Sequence, residues 1–495
     1  MLRVGSNFAR LGANFAIGLL LVRLLLDYEV TTYSIYVLVV VGFGFGIMLK
    51  ELARIAIIPS LASHLADREA FASAYASSFV VAAGFALLGA VIMLSLIPFL
   101  SMFSIPDARL GEASIFIVAR AGQTALSVLL APLLNYLLLQ RRFVLSNLLL
   151  ISERVIELLS VLPLVMGLRI IGDGLAQVGI LGLLGLSILY AAVGIVLVWK
   201  NRDLAPNPKR VSPAAVGKTM ALCGWTPVLV MAMNLFIRFD VVFVNAALGT
   251  LMTAMFAVAV QGTGMLQQVT NGLVGGTDAN ISHMIAKSGS PSSAVPYLQK
   301  LSQLQIIVVG ALCGLIFALA SKLLELWLGE TLGRDLDPDL LVVVLRIMLV
   351  GIAIRGVAEV WMQAMNGIGS VGTYSRWLLL AALANPFLVL AGLFLFSDPG
   401  DQLIWVAVVF SVLHILAYGI GVPVAVRQVF ETKAASVIAP AIWPIAIYAL
   451  LLMALMAVQN GASGLGALAF PALCVFVFTA TPGMMLLLNR KKVRS

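Results

Sequence analysis

The chain has 495 residues, of which 61% are hydrophobic and only 11% are charged, and its mean hydropathy is +1.07. Soluble globular proteins carry about 25% charged residues, so the composition excludes that class and indicates a chain embedded in lipid. The formal net charge is +9, and the three cysteines, Cys223, Cys313 and Cys474, all lie in apolar stretches. Cysteines so placed predict neither a metal site nor a disulfide framework.

Long apolar stretches recur along the whole chain. A helix needs about 20 apolar residues to cross a bilayer. Six such stretches fall near 11–26, 31–48, 77–99, 113–139, 145–166 and 175–199. Six more fall near 225–248, 252–279, 304–326, 340–365, 377–396 and 403–426, and two follow near 437–458 and 467–488. The sequence therefore predicts an all-α integral membrane protein with about fourteen transmembrane helices.

The first two sets of six spans look like copies of one unit. Ser63-His64-Leu65 recurs as Ser282-His283-Met284, and Leu186-Ser187-Ile188-Leu189 returns as Leu413-His414-Ile415-Leu416. Six spans return the chain to its starting side, so the repeats are predicted to be parallel, an arrangement typical of transporters. We expect an N-terminal lobe at 1–205, a C-terminal lobe at 206–430, and two additional helices with a basic tail at 431–495.

Basic residues are distributed unevenly between the two sides of this topology. With the N-terminus inside, most lysines and arginines and the tail at 490–494 fall on the cytoplasmic side. The outer loops hold few: Arg109, Arg169 and Arg334, with Lys322 near an outer helix end. This positive-inside bias predicts cytoplasmic N and C termini and accounts for the net charge without nucleic acid. The outer loops are too short for a catalytic domain, so we do not expect an enzyme.

Ionisable residues within the spans are the candidate functional groups, because each costs at least about 2.5 kcal/mol in hydrocarbon. The arginines are Arg23, Arg120, Arg154, Arg238, Arg346 and Arg355, and the carboxylates are Glu153, Glu157, Asp240 and Glu359. Arginine suits phosphate and carboxylate oxygens, and here arginines outnumber carboxylates. We expect the arginines to form a cationic, substrate-binding cavity and the carboxylates to act in ion coupling or charge pairing. Purely structural pairing is the alternative.

Three motifs carry a family resemblance. Arg238-Phe-Asp240 leads to a Leu248-Gly249 turn, a small-residue start follows at Ala254-Met-Phe256, and Leu324-Glu-Leu-Trp327-Leu-Gly329 ends span 9. This pattern resembles the multidrug/oligosaccharidyl-lipid/polysaccharide (MOP) exporter superfamily, and within it the Wzx-type O-antigen and exopolysaccharide flippases. The chain departs from that pattern after Gly249, where the expected Gly-x-Tyr is missing.

The resemblance implies a V-shaped bundle of two lobes in the bacterial inner membrane. It implies that a polyprenyl-diphosphate-linked oligosaccharide is moved between leaflets by alternating access, without a cofactor. The lipid bilayer and polysaccharide polymerase and chain-length proteins are the expected partners, and nucleic acid is not. Three alternatives remain open: a MATE-type multidrug or cation antiporter, a lipid II flippase, and a non-transport scaffold for polysaccharide assembly.

Overall fold

Helices make up nearly all of the described chain in the computed structural model. It describes residues 2–44, 46–62, 64, 67–140, 142–200, 207–221, 224, 226–274 and 277–431. Among these residues, β-pairing is confined to an isolated bridge between Leu332 and Leu336. The predicted all-α class is thereby confirmed, as expected where lipid forces backbone groups to bond within their own helix. The two additional helices predicted within 431–495 lie outside the described residues.

Ten helices occupy the first part of the described chain. They are α1 (Leu2–Tyr28), α2 (Val30–Val37), α3 (Gly46–Ala62), α4 (Arg68–Leu94), α5 (Leu110–Leu129), α6 (Ala131–Leu139), α7 (Phe143–Val165), α8 (Gly174–Lys200), α9 (Pro213–Ala221) and α10 (Thr226–Leu273). A π-helical turn at Leu38–Gly42 extends α2. The long α10 is broken at Gly249, whose φ of 91° favours glycine, and this break separates the predicted seventh and eighth spans.

The remaining helices are α11 (Thr277–Ser288), α12 (Val295–Leu328), α13 (Thr331–Arg334), α14 (Pro338–Gly367), α15 (Val371–Leu395), α16 (Pro399–His414) and α17 (Val422–Phe430). A π-helical segment at Ile415–Gly421 joins α16 to α17. Aspartates begin two of the long helices, because Asp67 and Asp337 accept hydrogen bonds from backbone amides of the first turns of α4 and α14.

Nine helical stretches in the described part of the chain are long and apolar enough to cross a membrane. They are Ala9–Tyr28, Arg68–Leu94, Asp107–Leu139, Gly174–Trp199, Arg238–Leu273, Pro291–Leu328, Pro338–Gly367, Val371–Leu395 and Pro399–Phe430. The fifth predicted span coincides with α7, which is long enough but carries three charged residues, Glu153, Arg154 and Glu157. The second coincides with the short apolar helix Val30–Gly42. Multi-pass membrane topology follows from these helices.

The described chain forms two compact units. The first contains residues up to Val258 together with Ser397–Leu403, and the second contains Ala259–Phe396 and the described residues from Ile404 onward. The predicted lobe boundary between residues 205 and 206 stays a prediction.

Glycines on one face of α8 bring this helix close to its neighbours in the first unit. A Cβ added at Gly179 would come within 2.9 Å of Ala119 on α5, and one at Gly185 would meet Ile156 on α7 at 2.7 Å. A Cβ at Gly182 would lie 2.6 Å from the amide nitrogen of Gln123. Small residues allow this close helix packing in membranes. The packing fixes α5 and α7, which carry most of the charged residues described next.

Candidate functional site

A cavity of about 580 Å³ lies within the first unit, among α1, α2, α3, α5, α6, α7 and α8. Among the described residues, six charged side chains line it: Arg10, Lys50, Arg120, Glu153, Arg154 and Glu157. Four are cationic and two are anionic, so the described lining carries a formal surplus of two positive charges. Charged groups in membrane proteins tend to face such cavities, because hydrocarbon solvates them poorly.

The Glu157 carboxylate stands at the centre of one half of the charged cluster. Its side chain is 10% exposed, and one oxygen accepts a hydrogen bond from the Tyr36 hydroxyl at 2.8 Å. The same oxygen lies 3.3 Å from the Arg120 guanidinium, and the other oxygen accepts from Arg154 at 2.7 Å. Arg120 also donates to the side-chain oxygen of Gln123 at 2.7 Å. Residues from α2, α5 and α7 therefore meet at one carboxylate.

The Glu153 carboxylate, one turn earlier on α7, organises the other half. The Lys50 ammonium on α3 donates to its two oxygens at 2.7 and 2.9 Å, and the Tyr190 hydroxyl on α8 donates to one of them. Residues four apart on a helix share a face, so α7 presents Glu153 and Glu157 side by side. Each carboxylate thus contacts a cation from a different neighbouring helix, Lys50 of α3 for Glu153 and Arg120 of α5 for Glu157.

Uncharged amides and hydroxyls form a second part of the cavity lining. Asn135, on α6, is only 2% exposed, and its amide nitrogen has no hydrogen-bond partner in the described structure. The amide oxygen of Asn14, on α1, also lacks one, whereas Asn147 donates to the Ser6 hydroxyl at 3.0 Å. Buried polar groups are normally hydrogen-bonded, so Asn14 and Asn135 are groups that a polar ligand can satisfy.

Three predicted site residues of the first unit lie outside the cavity lining. Arg23 is half exposed and forms an ion pair with Asp27 at 3.6 Å. Arg238 donates to the Val41 carbonyl at 2.6 Å, at the π-helical turn that extends α2. Asp240 is fully buried. Of the predicted residues, the structure thus gathers Arg120, Arg154, Glu153 and Glu157 around the cavity.

The other three predicted residues belong to α14 in the second unit. Arg346 donates to the Phe317 carbonyl at 3.0 Å, and its guanidinium lies 5.2 Å from the centre of the Phe317 ring. Arg355 and Glu359 are buried, at 4% and 5% exposure. Arg355 lies 5.4 Å from the centre of the Tyr418 ring, and Glu359 accepts a hydrogen bond from Gln363 at 2.9 Å.

The sequence prediction missed several cavity residues. Lys50 lies on α3, which runs to Ala62, whereas the second predicted span ends near residue 48. The apolar Ile55-Ala-Ile-Ile58 segment was a signal that this region is helical. Arg10 directly precedes the first predicted span, and Asn135 stands alone in the apolar run Pro132-Leu-Leu-Asn135-Tyr136. A lone polar residue in an apolar helix was the available signal.

Comparisons with known proteins relate this architecture to transporters. No protein-family model matches the chain, and no curated protein matches its sequence. The solved structure of the lipid II flippase MurJ, in an inward closed conformation, is similar with a TM-score of 0.71 and 11% identity, covering 98% of this chain and 99% of that one. An inward-facing multidrug resistance MATE family transporter of the MOP superfamily is similar with a TM-score of 0.62 and 12% identity, covering 91% and 96%.

A third similar structure is a MOP superfamily transporter from Pyrococcus furiosus, described as having a binding pocket of reverse polarity that suggests a different function. Its TM-score is 0.57 at 13% identity, with 87% of this chain and 97% of that one covered. At these identities the likeness concerns the fold, and all three proteins are transporters or flippases rather than enzymes. The chain is a multi-pass membrane protein with the fold of MOP superfamily transporters, which confirms at the level of fold the superfamily resemblance in its sequence.

Proposed function

We propose that this protein is a flippase for a polyprenyl-diphosphate-linked oligosaccharide, such as an O-antigen or exopolysaccharide repeat unit. The observation that carries the proposal is the cationic cavity of the first unit, where Arg120 and Arg154 converge on one carboxylate. Guanidinium groups bind phosphate oxygens through two parallel hydrogen bonds. A diphosphate diester is a dianion, and it balances the formal surplus of two positive charges in the described lining.

The amides and hydroxyls of the cavity lining favour a substrate that contains a glycan. Sugar hydroxyls and acetamido groups both donate and accept hydrogen bonds. Asn135 offers an unpartnered donor, and Asn14 offers an unpartnered acceptor, beside the charged cluster. A ligand that joins a dianion to a neutral, hydroxyl-rich group is complementary to both parts of this lining.

The transport cycle in this proposal follows from the fold and from the loop charges. The diphosphate and glycan enter the cavity from the cytoplasm of a bacterial cell, while the lipid tail stays in the inner membrane. Alternating access then exposes the head group to the other side. Both termini remain cytoplasmic, in line with the positive-inside bias. Polysaccharide polymerase and chain-length proteins act on the product and are the proposed partners.

A lipid II flippase is the second candidate. The similarity to MurJ along nearly the whole of both chains favours it, and lipid II also carries a polyprenyl diphosphate. Loss of a sole lipid II flippase is lethal, whereas loss of an O-antigen or exopolysaccharide flippase removes a surface polymer. A multidrug antiporter is less consistent with the cavity, because cationic drugs need an acidic lining. A non-transport scaffold would need no cavity charges.

Deletion of the gene tests the proposal. We expect completed polyprenyl-diphosphate-linked oligosaccharides to accumulate in the inner leaflet, where externally added enzymes cannot reach them in spheroplasts. Mass spectrometry of the lipid extract measures their amount and identifies the glycan. The wild-type gene should restore the normal pool. A normal pool together with normal surface polysaccharide would refute the proposal, and lethality with accumulation of lipid II would support the second candidate.

A further inference from the structure

Three of the four cations in the described lining of the first unit's cavity are held by carboxylates that belong to the protein itself. Lys50 contacts Glu153, and Arg120 and Arg154 both contact Glu157. An incoming anion therefore meets cations that already have anionic partners. Proteins that bind anions tightly do not require such internal carboxylates, since a neutral hydrogen-bond acceptor could also orient the cations. The carboxylates need an explanation of their own.

The hydrogen-bond donors around Glu157 have an arrangement that also suits the oxygens of a phosphate group. Tyr36 and Arg120 approach one carboxylate oxygen, and Arg154 approaches the other, at distances of 2.7 to 3.3 Å. These donors come from three different helices, α2, α5 and α7. A phosphate group carries its charge on oxygens with similar spacing and accepts the same kinds of hydrogen bonds. Glu157 thus occupies the position of an anion in the cluster.

We infer that Glu157 is an internal competitor for the substrate anion. It holds Arg120 and Arg154 in the empty cavity, and phosphate oxygens take its place when the substrate binds. During release, the carboxylate returns to the two arginines and displaces the phosphate. Because Glu157 lies on the same helix as Arg154, three residues further on, it stays close to the site throughout. This inference rests on the proposed function and adds a role in release.

Substitution of Glu157 by glutamine separates this role from a purely structural one. Glutamine keeps the size of the side chain and an oxygen that can accept from Tyr36, but it removes the negative charge. The formal surplus of positive charge in the described lining then rises from two to three. We expect polyprenyl diphosphate to bind about tenfold more tightly. Hydrogen bonds to a charged carboxylate are stronger than those to a neutral amide, so glutamine competes less well than glutamate for the two arginines. Transport should become slower, because release is impaired.

The experiment uses the full-length protein in detergent, with polyprenyl diphosphate as the probe, and measures its dissociation constant by titration calorimetry. The same variants are reconstituted into vesicles to measure flipping. Glu325→Gln is the matched control, since Glu325 is exposed and pairs with Lys322 at 2.9 Å outside the cavity. Glu157→Asp keeps the charge, and its affinity should stay close to that of the wild type. If Glu157→Gln does not fold, Glu157→Met removes the same charge with a side chain of similar length, and the same binding and flipping measurements apply.

Tighter binding together with slower flipping in Glu157→Gln supports the inference. Unchanged or weaker binding in this variant, with normal binding by the wild type, overturns it but leaves the proposed function standing. In that case Glu157 only positions the two arginines. Equal tightening in Glu157→Asp would also overturn it, because charge would not be the cause. Failure of the wild-type protein to bind the probe would overturn the inference and the proposed function together.

Discussion

The two compact units hold the charged residues of their helices in different ways. In the first, Lys50, Arg120 and Arg154 meet Glu153 and Glu157 around a cavity. In the second, Arg346, Arg355 and Glu359 of α14 contact a backbone carbonyl, two aromatic rings and an amide side chain. Charges around a cavity can exchange partners with a ligand, whereas charges between packed helices hold those helices together. We therefore propose a binding role for the cavity of the first unit and a stabilising role for the charged residues of α14.

A π-helical segment lies beside an arginine in each unit. Arg238 donates to the carbonyl of Val41 in the π-helical turn of the first unit. Arg355 lies over the ring of Tyr418 in the π-helical segment of the second. With its amide oxygen toward Arg355, Gln267 also accepts from this guanidinium, at 2.9 and 3.1 Å. π-Helical turns occur often at functional sites, and in the first unit the carbonyl of Val41 accepts from a side chain. Arginine is a suitable partner because it has five N–H donors.

The largest expected effect concerns binding in the first unit. Arg120→Gln removes one of the two guanidinium groups at Glu157. We expect the rate of flipping to fall by about 10- to 100-fold, because the substrate loses one or two charge-assisted hydrogen bonds. Transport in reconstituted vesicles measures it, with melting temperature as a check on folding. The control is Arg169→Gln, since the side chain of Arg169 is 83% exposed. Full transport by Arg120→Gln would contradict the proposal that the substrate binds in this cavity.

Arg355→Lys tests whether the charged residues of the second unit stabilise the fold rather than bind the substrate. Lysine keeps the charge but loses the planar contact with Tyr418 and the forked hydrogen bonds to Gln267. We expect a loss of about 2 kcal/mol in the free energy of unfolding, measured by thermal or denaturant unfolding in detergent. Polyprenyl diphosphate affinity should stay unchanged in the folded fraction. A stable Arg355→Lys protein with weakened affinity would place Arg355 in the binding site instead.

Asn135→Leu tests whether the neutral part of the cavity lining contacts the glycan and not the diphosphate. The two side chains are similar in size, and the substitution removes an amide whose nitrogen has no partner in the described structure. Affinity for polyprenyl-diphosphate-linked N-acetylglucosamine should fall by roughly 3- to 10-fold, while affinity for bare polyprenyl diphosphate should stay the same. The bare lipid serves as the internal control. An equal loss for both lipids would show that Asn135 does not distinguish the glycan from the diphosphate.

The smallest expected effect is that of Tyr418→Phe. The ring under Arg355 remains, and the lost hydroxyl is buried without a hydrogen-bond partner in the described structure. We expect the free energy of unfolding to change by less than about 0.5 kcal/mol, or to rise slightly. The same unfolding assay measures it, with Arg355→Lys as the comparison. Destabilisation as large as that of Arg355→Lys would mean that the hydroxyl, and not the ring, makes the important contact.

Sequence alone predicted most of the long helices and most of the charges on them, but not the partners of those charges. Arg120, Glu153 and Glu157 stood out because they interrupt apolar runs, and a charge in an apolar run is easily recognised. Their pairing depends on helix rotation, which follows from packing details such as the close approach of Gly182 to Gln123. Lys50 was not among the predicted site residues because it lies two residues beyond the predicted end of the second span.

The most direct test of the account measures flipping by the purified protein in vesicles. A fluorescent polyprenyl-diphosphate-linked N-acetylglucosamine is incorporated into both leaflets, and a membrane-impermeant quencher reports the fraction that is accessible from outside. We predict rapid movement between leaflets with the wild-type protein, and slow movement with the Arg120→Gln variant or with empty vesicles. Equal rates for the wild-type protein and empty vesicles would contradict the claim that this cavity carries a lipid-linked diphosphate across the membrane.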